Sequence, residues 1–359
     1  MGNTFGKIFK ISTFGESHGE MLGVVIEGCP SGFPLDTNFI QQEVNRRRPG
    51  QSAISTQRKE TDKIHIVSGF WEGKTTGTPL TILVHNNDVR SQDYALFQHI
   101  FRPSHADLAY FQRYKHYDYR GGGRASARET VARVIAGAVA KQFLQPLGIQ
   151  IYGYTNSIGN LDIPLDYSEI NPADIEKNIV RCPHEETAAA MISLIQEVRK
   201  SGDSLGGVVT CVATGVPAGI GQPVFDKIQA DLAKAVFSIN AVKGLEFGSG
   251  FSGTKLLGSQ HNDPIVFEKN RFLTATNHAG GTLGGITNGM DIYFRVAFKP
   301  VATIVKQQQT VDKEGNSIIF SGRGRHDPCV VPRAIPIVEA MTAIVLYDHW
   351  LLAKAFDVP

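Results

Sequence analysis

The chain has 359 residues, 42% of them apolar and 19% charged, and a formal net charge of +2. That balance excludes a disordered chain and supplies enough apolar side chains for a sizeable core. It also excludes a nucleic-acid binder working through a global basic field, so any anion site must be local. Cys29, Cys182, Cys211 and Cys329 form no CxxC pair, which argues against a zinc ribbon or a dithiol centre and reads as reduced thiols. The first residues lack the apolar run of a signal peptide, and no uninterrupted apolar stretch reaches the ~20 residues of a membrane span. A cytoplasmic protein is expected.

In chain order, Lys7–Phe14 and Met21–Glu27 read as strands. Between them Gly15-Glu16-Ser17-His18-Gly19 fits G-x-S-x-G. A nucleophile elbow needs a helix directly after the serine. A Val/Ile-rich strand follows here, which argues against a serine hydrolase. His18 is more informative, because its near-neutral pKa suits proton transfer, although a lone histidine also serves structure. Asp36 is placed to cap a helix that ends near Arg48, where Pro49-Gly50 stops it. Favourable charge at the helix end accounts for one or two of Arg46, Arg47 and Arg48. A further arginine fork can then hold a phosphate or carboxylate. Ile64–Val67 and Leu80–Val84 read as strands.

Phe101-Arg102-Pro103-Ser104-His105-Ala106-Asp107 sets an arginine and a histidine three apart, with Ser104 as a candidate helix cap. An exposed helix start with these neighbours suits an anion; a purely structural cap is the other reading. The sharpest local signal is Tyr119-Arg120-Gly121-Gly122-Gly123-Arg124-Ala125-Ser126-Ala127-Arg128. Three glycines free the backbone before the best helix of the chain, Arg124–Phe143, and arginines surround them. The loop lacks the GK[ST] of a Walker A sequence. Further helices are expected at Glu185–Arg199, Val224–Ser238 and Ile335–Phe356, and strands at Gly207–Ala213, Val242–Phe247 and Met290–Phe298.

Gly248-Ser249-Gly250-Phe251-Ser252-Gly253 matches G-x-G-x-x-G, but Asn262-Asp263-Pro264 leaves no room for the helix that a dinucleotide site requires. Asn277–Gly285 is a second glycine-rich loop, able to admit a flat ring or a phosphate, or to serve as a turn. Gly324-Arg325-His326-Asp327-Pro328-Cys329 joins a cation, an imidazole and a carboxylate that can act as a base. No second ligand pair at convincing spacing supports a metal there. Finally, Gly23-Val24-Val25 and Gly207-Val208-Val209 each lead into a Gly-Pro turn and an amphipathic helix. The offset of half the chain reads either as a duplicated strand–turn–helix unit or as chance.

Together the segments resemble the chorismate synthase family. The resemblance rests on FGESHG at Phe14–Gly19, RRRPG at Arg46–Gly50, RSQDY at Arg90–Tyr94, FRPSHAD at Phe101–Asp107 and DYRGGGRASARET at Asp118–Thr130. It continues through NAVKGLEFG at Asn240–Gly248, NHAGGTLGGITNG at Asn277–Gly289 and GRHDPC at Gly324–Cys329. The motifs run in family order along nearly the whole chain.

The resemblance implies a single α+β domain over residues 1–359. It implies a β-α-β sandwich, with central helices between two mainly antiparallel sheets and an internal pseudo-duplication, assembled as a homotetramer. It implies reduced FMN (FMNH2) as cofactor and anti-1,4-elimination of phosphate from 5-enolpyruvylshikimate 3-phosphate, giving chorismate. His18, which would protonate the departing phosphate, His105, which would protonate the flavin, and Asp327, which would help remove the C6 proton, are the implied catalytic residues. Arg47, Arg102, Arg128 and Arg325 would hold the substrate. Arg124, Ala125, Ser126, Asn240, Ala241, Gly284, Arg325 and Lys299-Pro300-Val301-Ala302-Thr303 would hold the flavin.

Two departures stand out. Ala53 occupies a position where the family often carries arginine, with Arg58 as a substitute. The usual KPTSS-like segment has lost hydroxyls at Val301 and Ala302. A flavoprotein oxidoreductase using NADPH and a nonenzymatic anion- or RNA-binding protein are the competing readings. A separate flavin reductase or the chain's own use of NADPH is compatible as the source of reduced flavin.

Overall fold

The computed structural model describes residues 2–51, 54, 60–87, 97–268, 270–322 and 327–356. Ala53, Arg58, Arg90–Tyr94, Arg325 and His326 lie outside the described residues. The first half contains β1 (Thr4–Phe5), β2 (Lys10–Phe14), β3 (Met21–Glu27), α1 (Thr37–Arg47), β4 (Ile64–Ser68), β5 (Leu80–His85), α2 (Asp107–Tyr114) and α3 (Thr130–Leu144). The second contains β6 (Gln150–Ile158), β7 (Leu161–Asp162), α4 (Glu185–Lys200), β8 (Gly207–Thr214), α5 (Ile228–Phe237), β9 (Val242–Phe247), β10 (Ile292–Phe298) and α6 (Val331–Phe356). The strands form two five-stranded sheets, β1-β2-β3-β5-β4 and β7-β6-β8-β10-β9. Every pairing within them is antiparallel. The class is α+β.

Side-chain period sets which face each strand buries. In β10, Ile292, Phe294, Val296 and Phe298 are buried, while the residues between them are half exposed, the two-residue repeat of a sheet with one inner face. The two long helices are different. Nearly every residue of α3 is buried, and in α6 every residue from Val331 to His349 except Arg333 is buried. A helix that is apolar all round belongs in an interior. By length and hydropathy α6 would also cross a membrane, but 83% of its most apolar window is buried here.

The helix α3 touches β2, β3 and β5 of the first sheet, α6 touches β6 and β8 of the second, and the two helices pack on each other. Small residues permit that crossing. A Cβ added at Gly137 would stand 2.3 Å from Ala340 Cα, so the backbones are in direct contact.

The acids of α6 in this interior are paired, as burial demands. Glu339 takes Arg46 and Lys141 on one oxygen, each at 2.6 Å, and Arg46 at 3.0 Å and the Gly153 amide at 2.9 Å on the other. Asp348 accepts the amides of Lys7, Ile8 and Phe9 at 2.7–2.9 Å, which ties the first strands to α6. Pro336 lies inside α6 and cannot donate to the carbonyl of Pro332 four residues earlier. Arg181 donates to that oxygen instead, at 2.5 Å, and the helix continues.

Several element boundaries differ from those expected. The helix α3 starts at Thr130, not Arg124, because Gly121–Gly123 hold left-handed backbone and Ser126 opens only a short 3-10 turn. The helix α5 starts at Ile228 instead of Val224. The helix α6 starts four residues early, because Pro332 sits in its first turn, where a missing N–H costs nothing. Ser104 caps no helix. Its φ is 57°, and α2 begins at Asp107 with no side-chain cap.

Candidate active site

The glycine loop and the β2–β3 turn form one unit. Gly121, Gly122 and Gly123 have φ of 58°, 84° and 52°, a region that glycine alone visits cheaply. A Cβ at Gly121 would meet the His18 ring at 2.3 Å and Ser17 Oγ at 2.7 Å, so the loop lies directly on both side chains. The Ser17 amide donates to the Gly123 carbonyl at 3.2 Å. Ser17 stands in a turn between two strands, with no helix after it.

Arg128 and Arg47 reach the same wall from different elements and share one carboxylate. Arg128 donates from Nη1 to Asp62 Oδ1 at 2.5 Å and from Nε to Asn86 Oδ1 at 2.9 Å. Arg47 donates from Nη1 to Asp62 Oδ2 at 3.4 Å, from Nη2 to the Ala127 carbonyl at 2.8 Å and from Nε to Thr130 Oγ1 at 3.1 Å. Asp62 is fully buried, with φ of 45°. Arg128 Nη2 is buried and lacks a hydrogen-bond partner among the described residues, with Glu60 3.9 Å away. A buried guanidinium nitrogen in that condition is one that an anion would satisfy.

Arg102 forks onto Asp107 with two bonds of 2.7 Å and lies over Phe97, 4.5 Å from the ring centroid. His105 Nδ1 is 3.1 Å from the Pro103 carbonyl, and Nε2 is 2.8 Å from Thr303 Oγ1. Burial, and then the Arg102 guanidinium, push its pKa down from 6.5 to about 4, so the ring is neutral near neutral pH. Lys299 donates to the Ser104 carbonyl at 2.8 Å. Asn240 donates to the Ala125 carbonyl at 2.9 Å, while its Oδ1 is buried without a hydrogen-bond partner among the described residues. Asp327 pairs with Arg333 of the first turn of α6.

These groups line a cleft of about 480 Å³, within the size range of small-molecule sites. Arg47, Arg102, His105, Ala125, Ser126, Arg128, Asn240, Ala241, Lys299, Pro300, Val301, Ala302, Thr303 and Asp327 all face it. Motifs spread over more than 280 residues of chain are therefore brought to one place. His18 lies behind the Gly121 wall. Arg124 donates to the carbonyls of Thr13 and Gly15 and stitches the glycine loop to β2 rather than lining the cleft. Gly284 stands in the Thr282–Thr287 hairpin. The neighbouring Gly285 carbonyl accepts from Ile228 at the start of α5, while the cleft begins after its other end. One helix of ten residues, about 15 Å, separates the two.

Sequence reasoning missed the acids that hold the arginines. Asp62 carries no motif signal, and only the fold sets it between two cations. Asp107 lay inside a recognised motif but had no assigned role. Arg333 sits just beyond the GRHDPC segment and was likewise missed. The donor set fits a flavin mononucleotide. Asn240 Oδ1 supplies an unused acceptor for a ring N–H, and Lys299 a cationic side chain at the cleft for the phosphate.

Residues 9–351 match the family model described as "Chorismate synthase". The chain is 56% identical over 356 residues to chorismate synthase of Cytophaga hutchinsonii, covering 99% of each. It is 54% identical over 354 residues to that of Christiangramia forsetii, again covering 99% of each. A crystal structure of chorismate synthase superposes with a TM-score of 0.78 at 34% identity, covering 97% of this chain and 93% of that one.

Proposed function

The chain belongs to the chorismate synthase family, whose members are carbon–oxygen lyases of the shikimate pathway, and from that premise we propose how its cleft performs the reaction. The substrate is 5-enolpyruvylshikimate 3-phosphate, and the reaction is an anti-1,4-elimination of its phosphate. The observation that carries this reading is the cationic wall. Arg47 and Arg128 meet the carboxylates of Asp62 and Glu60. Arg128 Nη2 keeps a buried N–H without a hydrogen bond among the described residues, and Lys299, docked on the Ser104 carbonyl at the cleft, adds positive charge where a phosphate or carboxylate would settle. Charge that builds on a departing phosphate is stabilised best by such fixed donors in a site shielded from water.

Ala125, Ser126, Asn240, Ala241 and Lys299–Thr303, which line the cleft, are proposed to hold FMN together with Arg325, and Arg124 to act indirectly by fixing the glycine loop to Thr13 and Gly15. When bound in its reduced form, FMN lends electron density to the breaking bond without net redox change. His18, held against the glycine loop, is proposed to give a proton to the leaving phosphate. His105 serves the cofactor side of the cleft, and the Asp327 carboxylate, held by Arg333, helps draw off the C6 proton. Arg102 and Arg325 complete the substrate contacts.

We read residues 1–359 as one domain with the architecture of a β-α-β sandwich. Two facts support this: α3 lies mainly against the first sheet and α6 against the second, and they pack on each other. We also read the halves as a pseudo-duplication. With β1, α2, β7, α4 and the small hairpin strands set aside, the strand–strand–helix–strand–strand–helix series β2, β3, α1, β4, β5, α3 parallels β6, β8, α5, β9, β10, α6. The corresponding sheet orders, β2-β3-β5-β4 and β6-β8-β10-β9, match as well. A cytoplasmic homotetramer served by a separate flavin reductase or by NADPH completes the proposal.

The test is anaerobic turnover of 5-enolpyruvylshikimate 3-phosphate with chemically reduced FMN, following phosphate and chorismate together. Equal release of both, absent with oxidised FMN, is expected. Folded, flavin-binding protein that forms no product would overturn the reading.

A further inference from the structure

His105 meets two oxygens, and their chemistry fixes its protons. The Pro103 carbonyl, 3.1 Å from Nδ1, can only accept. Nδ1 therefore carries the ring proton and donates it to that carbonyl, and in the neutral ring Nε2 has a free lone pair. Thr303 Oγ1, 2.8 Å from Nε2, must then be the donor. Its proton is committed to the histidine, and its own lone pairs remain to accept from the cleft that it lines.

The contact is built on both sides. Ser104 adopts φ of 57°, which turns the chain between Pro103 and the ring. Lys299 docks on the Ser104 carbonyl, and Ser204 Oγ donates to the Val301 carbonyl at 2.6 Å. These bonds anchor Lys299–Thr303 at three points along its length. Thr303 is buried. Hydroxyls are missing at Val301 and Ala302, so Thr303 holds the one hydroxyl of this segment.

Resting on the function proposed above, we infer that Thr303 is a relay and positioning residue for His105. Its hydroxyl sets the imidazole tautomer and passes a proton between Nε2 and a protonated group bound in the cleft. In the forward step Thr303 Oγ–H breaks as His105 Nε2–H forms. A ligand N–H or O–H breaks as a new Oγ–H forms. The reverse step returns both protons, and no electrons are gained or lost. The charged groups around the ring are Arg102, Asp107 and Lys299. A dianionic ligand entering beside Arg102 and Lys299 would offset the two cations and make the imidazolium accessible.

The first test needs no substitution and no turnover. Side-chain ¹⁵N NMR of histidine-labelled wild-type protein should show His105 Nδ1 as the protonated nitrogen and Nε2 as the bare one. The opposite tautomer would overturn the inference. The second test compares Thr303→Val with Thr303→Ser. The valine variant should lose about 10²-fold in kcat at saturating FMN and substrate, in line with loss of one positioned proton donor, a larger change than in its affinity for oxidised FMN, which Thr303 also helps to hold. The serine variant should recover most of the rate. Wild-type turnover in Thr303→Val, or no recovery in Thr303→Ser, would refute the relay. Failure of the wild-type protein to form chorismate would instead refute the function on which it rests.

Discussion

Arg128 and Asp62 meet at 2.5 Å with both side chains withdrawn from solvent, and Arg47 takes the second oxygen of the same carboxylate. Removing one member of such a buried set leaves uncompensated charge in a low dielectric. Asp62→Asn should lower stability by about 3–5 kcal/mol, read as a thermal or denaturant midpoint. It should also raise the KM for substrate more than it lowers kcat, because two arginines lose their common anchor. An unchanged midpoint together with unchanged KM would show that the arginines hold themselves.

His105 and Asp327 face the same cleft and are proposed to move protons. His105→Ala and Asp327→Ala should each slow turnover by about 10²–10⁴-fold while FMN still binds, measured by anaerobic assay and flavin titration. Near-normal turnover in either variant would remove that residue from the mechanism.

The crossing of α3 and α6 pits two effects against each other at Gly137. Alanine is the better helix former by about 1 kcal/mol. A Cβ there would stand 2.3 Å from Ala340 Cα, and forcing atoms into a packed interior costs about 1–3 kcal/mol. The clash involves backbone, which cannot swing aside, so Gly137→Ala should be net destabilising. A raised melting temperature would show that the helices separate easily.

Two buried groups make stability depend on pH in one direction. Burial and Arg102 lower the His105 pKa from 6.5 to about 4. The unfolded chain therefore binds a proton first, and stability is lost as pH falls from about 6.5 toward 4. Burial pushes the Glu339 carboxyl up, but Arg46 and Lys141 hold it well below its ordinary 4.5. Its contribution is present above about pH 4.5 and is lost below it. The melting temperature should thus fall in two stages on acidification, and His105→Gln should flatten only the upper stage.

Arg181 completes α6 by serving the carbonyl that Pro336 leaves open. Arg181→Ala would strand that oxygen and take one donor each from Glu176, which keeps Arg46, and from the Arg46 carbonyl. A loss of about 1–3 kcal/mol is expected, and the double variant with Pro336→Ala should recover part of it.

Most elements were legible because each has one dominant periodicity or a clear punctuation mark. Asp36 caps α1 as expected, its carboxylate accepting from the amides of Asn38 and Phe39. Expectation failed at the loop-to-helix junctions of Ser104, Arg124, Val224 and Ile335, and it gave no strand at β6, Gln150–Ile158. At those junctions tertiary contacts decide where helical backbone begins.

Sequence by itself determined the apolar interior, the α+β class, the family and the arginine- and glycine-rich segments that form the cleft. Those follow from residue type and local spacing, which a chain carries whether folded or not. Only the tertiary structure decided what each polar group is bonded to. It set Asp62 between Arg47 and Arg128, sent Arg46 to Glu339 instead of the cleft, turned Arg124 toward Thr13, and placed the Thr303 hydroxyl on His105. Partners hundreds of residues apart meet through packing of sheets and helices, and it is this meeting, at a few ångströms in a dry interior, that fixes protonation and charge.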